Sequence, residues 1–417
     1  MKVLFTAIFV FTLASFVLAQ DGDKNWFQVY GFAMTDIGYN FNQIDNAWFD
    51  VVRPTKLPTI KNQFGTDGNA YFSVRQTRFG VKSGTQTALG ELFTQFEFEM
   101  FGTGSDAGQT TIRLRHAYGE LGQFGVGQYW SPFMDIDVFP NTVEYWGPNG
   151  MAFFRNVQFR WMPIKGDTRL TFALERPGAS ADGGVVSEIF DEQKVAANID
   201  AQFPVPDLSA EYRSAHEWGY VELAGIVRYI KWVDNTDYPE NVDIDLSGDA
   251  IGWGLNLSSN IKITKNDIVR LSVLYGAGIQ NYMNDAPVDI GVESDTTNPE
   301  KPVKGVALPV LGVVAFLEHN WSEKFATAIG YSMLNIDNSD LQDFDAFKMG
   351  QYAIANLIYY PIENVMMVAE LQYGNRDNFN NLVEDGEIQY PENYLKTADI
   401  LKLQFSFKYN FSHKVLF

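Results

Sequence analysis

The sequence predicts an all-β protein: a transmembrane antiparallel β-barrel of about 16 strands, with one long loop folded into the lumen. Three observations predict it. Residues 91–101, ELFTQFEFEMF, put Gln95, Glu97 and Glu99 on one side and Phe96, Phe98 and Met100 on the other. Period-two alternation over such a length is a strand signal. The last run does the same, with Leu401, Leu403, Phe405, Phe407, Tyr409 and Phe411 opposed by Lys402, Gln404, Ser406, Lys408 and Asn410. In a soluble sandwich the apolar face would cover a core. Lysines behind it fit a wall that is greasy outside and wet inside. Third, short and long connections alternate along the chain, as an up-and-down barrel demands.

The N-terminus, MKVLFTAIFVFTLASFVLAQ, pairs Lys2 with an apolar run and the small residue Ala19 ahead of Gln20. Residues 1–19 read as a signal peptide and residues 20–417 as the barrel. An uncleaved anchor is the alternative, but no stop-transfer flank follows it. No later segment approaches 18 consecutive apolar residues, so no transmembrane helix is expected. Cysteine is absent, which excludes a disulfide framework and thiolate metal sites. The formal net charge of -20 argues against nucleic acid as a partner. Aromatic residues at 15% and 35 glycines fit a sheet protein with aromatic girdles. No cofactor is expected.

Taken in order, residues 25–41 form the first strand and 71–83 the second, across a turn-rich loop holding Pro54 and Pro58. Short turns fall at Thr85–Gly90, Gly122, Lys165–Asp167, Thr264–Asp267, Ser322–Lys324 and Ile362–Asn364. Long connections fall at 42–70, 131–152, 234–248, 284–307, 337–350 and 375–397. Counting every extended run breaks the parity near residue 218. Assigning 196–205 to a long external loop repairs it, with a hairpin of 208–215 and 220–232. Both termini then lie on the periplasmic side. The acidic loops 234–248 and 375–397 read as solvated surface, with divalent cations as the alternative. The last strand either ends at Phe411 or continues to Phe417.

The chemistry gathers between Thr110 and Trp161. Two strands joined at Gly122 precede a connection carrying Asp135, Asp137 and Glu144, and a third strand follows. Alternation turns Arg113 and Arg115 inward, opposite Ile112 and Leu114. An arginine on the lipid face near midplane costs about 2–4 kcal/mol, so strand arginines belong in the lumen or at the rims. Arg160, Arg169, Arg213, Arg228 and Arg270 sit on polar parities. Arg75 with Arg78, and Arg155 with Arg160, cannot both face inward on regular strands, so bulges or rim positions are expected there. If the connection folds inside, its acids face a fan of arginines across a water-filled constriction. Such a filter favours small anions, because guanidinium pairs with carboxylate in a fork. The bland alternative is that the arginines pair with wall acids such as Glu97, Glu99 and Glu175. His116 shares a parity with Leu114 and Tyr118, which places it at a membrane interface.

The run GQYWSPFMDIDVFPNTVEYWGPNG followed by FFRNVQFRW resembles the DcaP-like porin family of Gram-negative outer membranes. More loosely, QTRFGVKS resembles general trimeric porins. The resemblance is densest over 71–161. It implies an integral outer-membrane protein, a homotrimer in lipid, and a third external loop inside each lumen. By the pattern of general porins it implies constriction arginines at Arg78, Arg113 and Arg155. It also implies passage of small anionic, dicarboxylate-like solutes. Some members carry an N-terminal coiled coil, and the stretch between Gln20 and Trp26 holds no heptad. Glycines near Gly31, Gly38 and Gly125 suit a close trimer surface or simply tight strand packing.

Three rivals are weighed against a channel. An enzyme would need a nucleophile with a positioned base. Four histidines, His116, His216, His319 and His413, offer no such constellation, and no HExxH or GxSxG occurs, so no enzyme is expected. A plugged structural or adhesive barrel would work through its acidic external loops. A soluble periplasmic sandwich would leave with aqueous buffer, without detergent.

Overall fold

A computed structural model describes residues 25–184, 198–238, 244–298, 300–380 and 391–417. The signal-peptide reading, at 1–19, lies outside the described residues, as does part of each acidic loop.

The strands are β1 (Trp26–Asn40), β2 (Asn69–Ser73), β3 (Arg78–Thr87), β4 (Gly90–Phe101), β5 (Thr110–Leu121), β6 (Phe124–Trp130) and β7 (Arg155–Ile164). They continue as β8 (Arg169–Glu175), β9 (Ile199–Gln202), β10 (Asp207–His216), β11 (Gly219–Asp234), β12 (Gly248–Lys262) and β13 (Asp267–Ala277). The last are β14 (Ile290–Ser294), β15 (Val303–Ala307), β16 (Pro309–Asn320), β17 (Phe325–Ile336), β18 (Phe347–Tyr359), β19 (Val365–Asn378) and β20 (Thr397–Leu416).

Sixteen of these, among the described residues, make a closed antiparallel barrel in which each strand pairs with its neighbour in the chain. The remaining four are accessory. Strand β2 continues the line of β3 along β1, β9 caps β11, and β14 with β15 is a separate hairpin. Closure runs along β1 and β20, from Trp26 beside Leu416 to Asn40 beside Lys402. The terminal strand therefore continues past Phe411 to Leu416. Both ends of the barrel chain lie at the rim of the tight turns. Of the loop read at 196–205, residues 198–205 are described and hold only the short accessory β9, and His216 to Gly219 is a tight turn between β10 and β11.

Chemistry explains the wall. Along β20, Leu401, Phe405, Tyr409 and Phe411 are exposed on the outside, while Lys402, Gln404 and Ser406 are buried inside. Trp218 and Trp321 face outward near the turn rim, and Trp253 and Tyr275 near the loop rim, as aromatic girdles require. No described helix is long and apolar enough to cross a membrane. Tight turns rest on left-handed residues such as Gly122 (φ 59°) and Asn364 (φ 64°).

Two irregularities correct the simple alternation. A turn at Val74–Thr77 separates β2 from β3, with Thr77 N–H donating to Val74 C=O at 3.0 Å. The break lets both Arg75 and Arg78 turn inward, and Arg75 meets Asp50 at 2.8 Å. Strand β5 slips register against β4: Glu97 faces His116, yet Phe98 faces Leu114. Arg115 is the extra residue, so parity flips there. His116 and Tyr118 are buried inside, not at a membrane interface as the alternation suggested. Of the glycines near a suggested trimer surface, Gly38 and Gly125 face buried tyrosines on the inner side, whereas Gly31 takes the outer parity between Phe79 and Phe411 and lies under the Phe411 ring. A Cβ at Gly38 would strike the Tyr71 ring at 2.3 Å, and one at Gly125 the Tyr118 hydroxyl at 1.9 Å.

Candidate functional site

Between β6 and β7, residues 131–154 cross the lumen and bond to the far wall. The main-chain N–H groups of Val143 and Glu144 donate to Glu370 on β19, at 2.9 and 2.8 Å. Asn141 N–H donates to Glu318 on β16 at 2.6 Å, and Gly150 N–H to Ser332 on β17 at 2.9 Å. The loop lies flush on the wall because two glycines meet there. A Cβ at Gly150 would stand 2.0 Å from the Met333 carbonyl, and one at Gly312 would stand 2.1 Å from the Gly150 carbonyl.

The loop acids divide into two roles. Glu144 is buried and faces no arginine. Its carboxylate accepts from the N–H groups of Val52 (2.8 Å), Trp146 (3.0 Å) and Gly147, and from the Tyr352 hydroxyl (3.0 Å). Burial pushes this carboxyl above the usual range, while the donors of Val52, Gly147 and Trp146 pull it back. Glu144 thus latches the loop. Asp135 and Asp137 meet a different set of arginines from Arg78, Arg113 and Arg155. Asp135 accepts from Arg213 (2.6 Å), Tyr220 (2.6 Å) and Ser258 (2.7 Å). Asp137 pairs with Arg213 at 2.5 Å and lies 4.0 Å from Arg169.

Arg78, Arg113, Arg115 and Arg155 converge instead on two wall acids of β4. Arg115 donates to Glu97 at 2.6 Å and also to Glu99, and Tyr145 of the loop donates to Glu99. Arg78 stands 3.6 Å from Glu97 and 3.7 Å from Glu99. Arg113 and Arg155 each stand 3.6 Å from Glu99. At those separations the guanidiniums of Arg78, Arg113 and Arg155 make ion pairs but no side-chain hydrogen bond to a described residue. One buried nitrogen of Arg155, Nη1, has no acceptor. Arg155 reaches this group because it opens β7, where the chain leaves the loop, while Arg160 follows the inward parity further down. Arg160 is spent: it donates to Gln158 at 2.8 Å and lies 5.1 Å from the Tyr129 ring centroid. Glu175 accepts from Ser131 at 2.7 Å and from Ser209 at 2.5 Å, and among the described residues no arginine pairs with it.

Two cavities flank this group. One, of about 450 Å³, opens towards the long loops and is lined by Arg113, Arg155 and Gln128. The other, of about 240 Å³, lies on the turn side and is lined by Arg78, Arg115 and Lys408. Tyr145 and Phe153 line both, so the same loop side chains border the two chambers. Sequence reasoning passed over Tyr145 and Lys408 as site residues. The inward parity of Lys408 was a usable signal; Tyr145 had none, lying in a loop without periodicity.

A family model for DcaP outer membrane protein matches residues 18–389. No curated relative matches the sequence. Among solved structures, the outer membrane channel DcaP of Acinetobacter baumannii superposes with a TM-score of 0.72 at 18% identity, covering 93% of this chain and 98% of that one. An anion-selective porin from Comamonas acidovorans superposes with a TM-score of 0.57 at 9% identity, over 93% of this chain and 100% of that one. The trimer form of OmpT, an outer membrane protein of Vibrio cholerae, gives 0.54 at 11% identity, over 93% and 100%. At these identities the likeness is one of fold.

Proposed function

The chain belongs to the DcaP outer membrane protein family, and from that premise we propose that it is a passive outer-membrane channel favouring small hydrophilic anions. One observation carries the charge preference. Arg78, Arg113 and Arg155 hold their guanidinium donors 3.6 to 3.7 Å from Glu97 or Glu99, with no side-chain hydrogen bond to a described residue. Four guanidiniums around two carboxylates leave an excess of positive charge, with Arg113 and Arg155 lining one chamber and Arg78 and Arg115 the other. Guanidiniums with unspent donors can exchange a distant wall carboxylate for a passing one. Arg115 braces the acids in place, and the loop supplies Tyr145 rather than an opposing carboxylate. Asp135 and Asp137 form a second, acid-rich group with Arg213, Arg169 and Glu222, beside the main route. Dicarboxylate-like solutes are the class the family resemblance implies, and two carboxylates suit paired arginines.

The barrel sits in the membrane with its turn rim and both termini towards the periplasm, and it assembles as a homotrimer, as porins of this layout do. The packing of Trp48, Phe101 and Trp146 among the loops favours a second reading, a plugged barrel that works through its external surface. Reversal potentials in KCl gradients test the first. Exchanging Arg78, Arg113 and Arg155 together for Gln should abolish most of the chloride preference. A preference that survives the exchange would show that these arginines do not set it, and a barrel without any conductance would favour the plug.

A further inference from the structure

The entrance chamber has a second wall that the charged group does not explain. Opposite Arg113 and Arg155 stands the segment 280–287, from the long connection between β13 and β16. It is bonded in on three sides. Ala152 of the infolded loop and Met283 form an antiparallel bridge, Phe153 N–H donates to Tyr282 C=O at 2.9 Å, and Asn284 N–H donates to Met151 C=O at 3.0 Å. Asp285, with its side chain fully buried, accepts from Arg53 (2.8 Å) and from the Thr55 hydroxyl (2.6 Å) and N–H (3.1 Å). The Arg53 guanidinium lies 4.1 Å from the Trp48 ring and 4.0 Å from the Trp146 ring. Behind the segment, Asp289 accepts from the buried Arg228 and from Asn281 N–H, at 2.8 and 2.9 Å.

We propose that residues 280–287 are a second selecting element, which sets the size of anion admitted to the Arg113–Arg155 chamber, and that Asp285 is the residue that fixes it there. The inference rests on the channel reading above. Arginines choose the sign of charge through a field that reaches past contact distance. They do not measure the width of a solute. Width is set by a wall that cannot yield, and a segment bridged to one loop and clamped to another cannot swing alone. The chamber of about 450 Å³ is then a fixed volume, within the range of small-molecule sites.

Bi-ionic reversal potentials with gluconate and acetate test this on the full-length protein in planar bilayers. Asp285→Ala removes the clamp and should raise the gluconate-to-acetate permeability ratio about twofold or more, because steric limits act steeply on near-fitting solutes. Ala286→Trp, which adds bulk to the chamber lining, should lower the same ratio. Since the chain holds no cysteine, Ala152→Cys with Met283→Cys can be added to the Asp285→Ala protein, and oxidation of that pair should bring the ratio back down. Conducting barrels in which neither Asp285→Ala nor Ala286→Trp moves the ratio would overturn the inference. Should Asp285→Ala fail to assemble, an unmoved ratio in Ala286→Trp overturns it alone. The two readings fail differently: loss of chloride preference in the unaltered protein strikes the channel reading, whereas an intact preference with an unmoved size series strikes only this one.

Discussion

Glu99 holds four guanidiniums within 4 Å, from Arg78, Arg113, Arg115 and Arg155. Removing its charge leaves those cations facing one another with only Glu97 between them. Glu99→Gln should therefore increase chloride preference in a KCl gradient while lowering the stability of the barrel in urea. A preference that falls would mean that Glu99 is not at the point where ions are sorted. The inward arginines were legible in the sequence because alternation and the cost of charge in lipid both constrain them. The partners of the loop acids were not. Asp135 meets Arg213 across 78 positions of chain, and no local pattern encodes such a pair. His116 was misplaced for a related reason: one extra residue in β5 reverses every parity after it, and composition does not announce a bulge.

At the level of single elements, β20 and the infolded loop make opposite demands. Phe405 of β20 is exposed on the outer face and lies near the middle of the strand. Phe405→Arg should cost about 2–4 kcal/mol in reversible unfolding from lipid, as charge at bilayer depth does. A cost near zero would argue that this face does not meet hydrocarbon. The loop depends instead on Glu144, whose loss would orphan three N–H groups and a hydroxyl. Each buried donor left unpaired costs about 1–3 kcal/mol. Glu144→Ala should therefore give rapid current flicker and a lower melting temperature, with the anion preference of any open state retained. Quiet, unaltered channels would show that the latch is redundant with Glu370. Strand count and turn positions were readable because every hairpin repeats the same signal. The infolding was expected from acids placed against inward arginines and was implied again by the resemblance, but the entry of residues 280–287 was not foreseen at all. Nothing in a loop sequence states which other loop it will bridge.

For the whole molecule, the proposed trimer makes a prediction about conduction. Three barrels in one complex would give conductance steps in threes in a planar bilayer, and detergent-extracted protein would migrate as a trimer until heated. Single independent steps from a monodisperse preparation would remove the trimer from this picture. The negative overall charge does not oppose an anion route. The charge of -20 is summed over the chain, whereas the passing ion responds to the few groups lining the narrow part.

Arg53, held between Trp48 and Trp146 and bonded to Asp285, belongs to three connections at once. Anyone grafting one of these loops onto another scaffold would carry over half of a joint, leaving an aspartate or a guanidinium without its mate. The same holds for divergence over time: a change in one connection strands a partner in another, so these three segments are expected to change together.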